Sequence, residues 1–575
     1  MNPDYLIGFM ILVIFGIGAS LMFTRTLPAL LVLPLMGISI ASGAALLLWG
    51  VSFFPELFSG GATSGAVITA QDILGGVISE GALRLYEPMI VAFFGGVLSF
   101  IMQKSGVAES LVKNAAELIG DNPFAVALFS MGLIAVLFTS IGGLGAIIMV
   151  AMVVLPMLAT VGVPPAASGG IMLIGISLGG ILNPGNWIVY QTVLNLDIAQ
   201  VKQFALIVFF ITGLAGVIFI CVELVRAGAT KAYVPMVATV LGIALIGGVA
   251  IYASMPDREP VAEAAAVAGD GSVAPTSTAA SPSLPATGAA VDSQKVEESG
   301  ILQVVQWGVA IFFTMLLVWH LLVLRGRARR WRHQIVTIPW YSYLIPVVPL
   351  VLILVYGVPI LAAFFIGFVY AIVVTARPGS VSLTIQSMIQ GASSVMPAVL
   401  LMIGIGILLK AVLGPSAWAA SNPGYEWPVL AATKPIFQKI IPGAPVTYVL
   451  LFGLAAPLAL YRGPLNLWGL GYGVVALLLA SGQVPAGAIM AMMMSVGQVQ
   501  GICDPTNTQN VWLANELRVD VQALMWRTLP YIWGMVFVGL GIAAVLYAPA
   551  WREMDEKRKQ EPSAQVESAG TGVTK

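Results

Sequence analysis

The sequence predicts an all-α polytopic membrane protein built as an inverted repeat, with about 12 transmembrane helices, two re-entrant hairpins and two discontinuous helices. Composition carries the first half of that statement. Hydrophobic residues make up 59% of the chain, charged residues 9%, and the mean hydropathy is +0.96, whereas about a quarter of a soluble domain is charged. A phrase written twice carries the second half. Gly180-Ile181-Leu182-Asn183-Pro184-Gly185-Asn186 and Gly501-Ile502-Cys503-Asp504-Pro505-Thr506-Asn507 both read G-I-x-(N/D)-P-x-N, 321 positions apart. The register holds without a gap back to Gly142 and Gly463, at about 14 identities in 45 positions, which marks an internal duplication. Pro and Asn inside an apolar run interrupt a helix, and such backbone is tolerated at membrane depth only where it lines a cavity or is buried in protein.

The first repeat is read over 1–226. Apolar runs long enough to cross about 30 Å of hydrocarbon start near Tyr5, Leu27 and Glu87, and Ser105 to Asp121 is patterned as an interfacial amphipathic helix. A hairpin follows over 123–161, turning at Ser140 to Gly143, then a broken helix over 165–195 and a closing span from Phe204. The segment 227–340 connects the repeats through two spans and a linker, 256–299, whose Ala, Ser, Pro, Thr and Gly bias predicts disorder. The second repeat, 341–548, holds a hairpin over 445–481 and a broken helix over 485–516, and 549–575 is a polar tail.

Arg325, Arg327, Arg329, Arg330 and Arg332 form the strongest orientation signal and place that loop in the cytoplasm. Counting spans outward from it puts the linker outside and the second repeat inverted relative to the first. That arrangement places substrate and coupling ions near the midplane, between broken helices. The tail opposes it, because Arg552, Lys557, Arg558 and Lys559 favour the cytoplasm but fall outside. The N-terminus MNPDYL lacks the basic start of a signal peptide, so the first run is read as a retained span.

Several classes are disfavoured. With 26 basic and 26 acidic residues there is no electrostatic case for nucleic acid, and two cysteines and two histidines supply neither a disulfide framework nor a metal cluster. No Walker motif or nucleophile constellation is visible, so neither ATP-driven transport nor enzymatic catalysis is expected, and no cofactor.

Pro184-Gly185-Asn186 and Pro505-Thr506-Asn507, with hairpin tips at Ser140 to Gly145 and Arg462 to Asn466, resemble the ion transporter superfamily of secondary carriers. Within it the chain looks like the gluconate, citrate and related organic-acid permeases. Gly162-Val163-Pro164-Pro165 also resembles the turn after the hairpin in the large membrane subunit of TRAP transporters. The tips depart from the Ser-Asn-Thr pattern of dicarboxylate carriers. The resemblance implies alternating access, a homodimer formed through the scaffold, and residence among the lipids of a membrane, the bacterial inner membrane being the expected one.

A broken helix frees carbonyls on one side and amides on the other, so both cations and anions can use the gap. Asn183, Asn186, Asn507, Thr506 and Thr508 supply neutral oxygens and amide donors suited to Na⁺ or a substrate hydroxyl, or else they satisfy the freed backbone. Ser140, Gly142, Gly143, Gly185, Gly463 and Asn466 complete the candidate substrate-binding set by close backbone approach and turn formation. Asp504, opposite the neutral Asn183, is the preferred coupling residue, with Asn183 and Asn507 beside it; direct Na⁺ ligation and a helix N-cap are the alternatives for Asp504. Arg462 can select an anion by a forked contact, pair with Asp504, or reach the membrane surface. Lys410 is read as snorkelling, Glu80 as pairing with Arg84, and Met490 to Met494 and His320 as packing; Trp187, Trp468 and Trp512 either cover substrate or anchor at the interface.

The expected function is symport of a small organic anion, a hydroxy- or polycarboxylate, driven by H⁺ or Na⁺. A Na⁺/H⁺ antiporter, a TRAP-type membrane subunit and, more weakly, a channel are the rivals.

Overall fold

A computed structural model describes residues 3–24, 26–53, 67–116, 122–228, 233–253, 338–376, 380–422, 425–441, 443–467 and 469–556, with scattered residues between 307 and 319. The linker 256–299, the arginine cluster, His320 and Trp468 lie outside them. The body that carries both repeats spans Met1–Ala253 and Val336–Lys575, and Ser254–Ile335 forms a separate unit.

Every described element is helical. Among the described residues eight helices are long and apolar enough to cross a membrane, or nine if one bent pair counts as a span, so the chain is an integral membrane protein. The expected 12 include the span 301–324, which lies largely outside the described residues, and several of the described apolar helices are shorter than 18 residues. The hairpin arms α6 (Pro123–Phe138) and α7 (Leu144–Thr160) have 16 and 17 residues. At about 1.5 Å per residue each reaches about 25 Å, less than the hydrocarbon thickness, which suits a re-entrant pair.

The first half opens with α1 (Pro3–Phe23) and α2 (Ala29–Phe53). A π-helical turn, Asp72–Glu80, leads through α3 (Gly81–Leu83) into α4 (Tyr86–Ser105), together one 34-residue span. The amphipathic α5 (Val107–Ala116), hairpin α6–α7, half-helices α8 (Pro165–Ile181) and α9 (Pro184–Leu194), and α10 (Ile198–Arg226) follow, then α11 (Tyr233–Ala253). The second half runs α12 (Val348–Tyr356), α13 (Ile360–Val374), the 34-residue α14 (Ser380–Leu413), a short α15 (Ser416–Ser421) and amphipathic α16 (Pro428–Ile440). Its hairpin is α17 (Pro445–Ala455) with a 3-10 turn, Ala456–Arg462, and α18 (Gly471–Ser481). Then come α19 (Ala486–Gln498) with a π-helical turn, Val499–Cys503, then α20 (Thr508–Leu517) and α21 (Val521–Leu546). The helix of the return arm starts at Gly471, not Leu465, because the described residues just before it, 464–467 and 469–470, are not helical.

Two layers organise these elements. In one, α4 and α14 cross, with α2 packed on α14 and α13 on α4. The crossing is built on glycine at two mirrored points. A Cβ on Gly96 would lie 2.7 Å from Gly391 O, and one on Gly406 would strike Gly81 O. Gly391 is the repeat mate of Gly81 and Gly406 of Gly96, each 310 residues on, so the two contacts are images of each other about a pseudo-two-fold axis. The other layer pairs α8 with α10, α19 with α21, and α10 with α21. The return arms dock alike: α7 on α4 and α5, α18 on α14 and α16.

Candidate functional site

Each break in a helix forms where an Asx residue takes extended backbone. Asn183 (φ −74, ψ 115) caps α9, its Oδ1 accepting from Gly185 N at 2.8 Å, and Pro184 follows where no amide partner is needed. The halves α8 and α9 are bent by 55°. At the second break Asp504 (φ −67, ψ 112) takes the same place, and its Oδ1 accepts from Thr506 N at 2.9 Å.

The carbonyls freed by these breaks are taken up by side-chain donors from the downstream half-helix. Asn186 Nδ2 donates to Gly180 O and Trp187 Nε1 to Ile181 O, both at 2.7 Å. In the second copy Asn507 Nδ2 donates to Gln500 O at 2.6 Å, Gln509 Nε2 to Gly501 O at 3.0 Å, and Asn510 Nδ2 to Ile502 O at 2.9 Å. The Asn186 and Asn507 amide nitrogens thus satisfy freed backbone. Trp187 is fully buried.

Between the two broken helices lies an axial cavity of about 250 Å³. Its walls are repeat mates: Ile176 and Gly497, Ser177 and Gln498, Gly180 and Gly501, each 321 apart. Ser177 Oγ donates to Gln498 Oε1, so the axis passes between these two side chains. Asn186, Tyr190, Tyr472, Gln500 and Gln509 add polar groups, and none of the lining residues is charged. Sequence reasoning missed Ser177, Gln498, Tyr190, Tyr472, Gln500 and Gln509; the signal for the first two was polarity at matching positions of an otherwise apolar repeat.

A side cavity of about 300 Å³ is lined by Arg462, Gly469, Pro505, Thr506 and Val511 against Met22, Leu27, Pro28 and Ala29 of the α1–α2 corner. The expected site residues are therefore divided: Asn186 faces the axial cavity, Arg462 and Thr506 the side cavity. Asn183, Asn507 and Thr508 line neither. The first hairpin tip also stands apart. Ser140 Oγ donates to Pro346 O, and Ser99 Oγ to Gly142 O at 3.1 Å, fixing the tip to α4 and to the segment before α12. Gly143, at φ +84, supplies the left-handed turn between the arms.

Asp504 is fully buried and gathers five donors. Tyr461 N (3.0 Å), Arg462 N (3.4 Å) and Asn466 Nδ2 (3.1 Å) come from the second hairpin tip, and Thr506 N (2.9 Å) and Oγ1 (2.8 Å) from the break itself. Arg462 reaches Asp504 through its backbone amide, and its side chain makes no ion pair among the described residues. Gly463 packs so closely that a Cβ would strike Leu458 O.

Two charge clusters depart from expectation. Lys410 is buried and pairs with Glu80, whose carboxylate also accepts from Ser416 N at 2.9 Å; it does not snorkel. Arg84 instead donates to Val193 O at 3.3 Å, capping the C-terminal end of α9. Glu223, also buried, holds Arg226 and Arg527, joining α10 to α21. Met490, Met492 and Met493 are buried in packing, and Met494, also buried, lines the axial cavity.

No protein-family model and no curated protein matches the sequence. Among solved structures the chain is similar to the YdaH transporter of Alcanivorax borkumensis, with 14% identity over 91% of this chain and 98% of that one, at a TM-score of 0.44. A likeness at that level carries no argument about function.

Proposed function

We propose that the chain is a secondary active transporter that carries a small organic solute by alternating access, seated in the axial cavity. The observation that supports this most is the meeting of the repeat mates Ser177 and Gln498 at that cavity. Two inverted half-sites sharing one seat can present it to opposite sides of a membrane in turn. An organic anion driven by an H⁺ or Na⁺ gradient is the substrate class proposed. Arg462, which lines the side cavity and makes no ion pair among the described residues, supports anion selection on the approach to the seat. Coupling is assigned to the half that contains Asp504, and residence in a bacterial inner membrane belongs to the same proposal.

Uptake of a panel of labelled organic acids into proteoliposomes under imposed H⁺ or Na⁺ gradients tests it. Gln498→Ala is expected to lower gradient-driven uptake at least about tenfold, the scale of one or two lost hydrogen bonds in a desolvated seat. Arg462→Ala is expected to raise KM for anions while sparing neutral solutes. Na⁺/H⁺ exchange without any organic substrate would move the proposal to an antiporter.

A further inference from the structure

The second hairpin tip is the wall between the two cavities. Leu467 lines the axial cavity, whereas Arg462 and Gly469 line the side cavity. The tip holds a shape that its own residues resist, because Tyr461 and Arg462 are consecutive left-handed residues at φ 53° and 56°. Each carries a Cβ that disfavours this conformation. Asp504 compensates: its carboxylate receives the amides of both strained residues together with Asn466 Nδ2, while Thr506 fixes it from the opposite side. Leu467 N, donating to Gln500 Oε1 at 2.7 Å, completes the seal.

The first repeat has no counterpart to this arrangement. Asn183 Oδ1 accepts from Gly185 N, within its own turn, and the first tip is bound to α4 and to Pro346. One hairpin is therefore tied to elements outside its broken helix, and the other to its own broken helix, through the buried carboxylate of Asp504 and the Gln500 side chain.

We propose that the tip 461–467 is a gate between the axial and side cavities and that Asp504 is the positioning residue that latches it shut. The inference rests on the transporter reading of the axial cavity. When the carboxylate no longer gathers the tip amides, the left-handed pair relaxes and the tip moves into the side cavity, which opens the seat to solute. The asymmetry between Asn183 and Asp504 then makes the second hairpin the mobile gate and the first the fixed one.

The test uses the purified chain with Cys221→Ser and a reporter, Met494→Cys, in the wall of the axial cavity. Fully buried Cys503 gives the blank rate in the chain without the reporter. Modification by a sulfonated methanethiosulfonate is followed by mass spectrometry. Asp504→Asn, which turns an amide NH₂ toward the tip donors, is expected to raise the reporter's rate about tenfold or more, as local opening does. Adding Tyr461→Gly should bring the rate back down, since glycine holds the left-handed shape without strain, a rescue that general loosening would not produce. Thr506→Val, which removes the hydroxyl donor and keeps the branched shape and the backbone amide donor, should give a smaller rise. A rate within twofold of the parent in both Asp504→Asn and Thr506→Val, with helix content retained, overturns the latch. Labelling needs no substrate, so that failure leaves the uptake result for Gln498→Ala standing, and failed uptake leaves the latch measured.

Discussion

Trp187 and Asn510 supply, at the two breaks, the donors that backbone amides would have supplied in an unbroken helix. Their targets lie six and eight residues upstream, so no i→i−4 pattern announces them; they are reached only because the helix is interrupted between donor and target. Trp187→Phe keeps an aromatic ring but removes one donor and leaves a void in a fully buried place, and should lower stability by about 2–3 kcal/mol, measured as thermal unfolding in detergent. Asn510→Leu should cost at least as much, because it leaves Ile502 O buried without its partner. The sequence marked Asn183, Asn186, Asp504 and Asn507 as special, and their position at the breaks was legible from Pro within an apolar run. Which way their polar atoms turn was not, since an Asn between a freed carbonyl and an open cavity can serve either until the bend is known.

Among whole elements, the long spans α4 and α14 show how much a crossing depends on absent side chains. Gly96→Leu and Gly391→Leu each drive a side chain into the facing backbone at both ends of one contact, and both should depress the yield of folded protein and its unfolding temperature to a similar degree. Gly132→Leu, with open space around its Cβ, is the control expected to do neither. The Glu80 and Lys410 pair ties the start of one span to the end of the other. Removing one partner leaves a charge in a buried place, so Glu80→Gln is expected to cost about 3 kcal/mol, while Glu80→Leu with Lys410→Met should recover much of it. Periodicity and length located these helices, and the Gly81 and Gly391 correspondence was visible. The Lys410 partner was not, because it lies 330 residues away and only the crossing brings it near.

For the molecule as a whole, the pseudo-two-fold axis passes between mirrored glycine contacts at the crossing and between Ser177 and Gln498 at the cavity. The orientation that follows from the arginine cluster is testable by side-specific labelling in right-side-out vesicles. Ala280→Cys in the linker should react with an impermeant maleimide from outside, and Ala328→Cys, beside Arg327 and Arg329, only after permeabilisation. The reverse result would invert the assignment of both hairpins. The sequence by itself determined the membrane class, the duplication and the place of both breaks, because composition and a constant register are properties of the chain alone. Only the tertiary structure decided that the candidate residues divide between two cavities, that the axial seat is lined without charge, and that Asp504 holds a strained tip. The physical reason is that such contacts join residues dozens to hundreds of positions apart, where bend angles and close glycine crossings, rather than local pattern, select which polar group meets which.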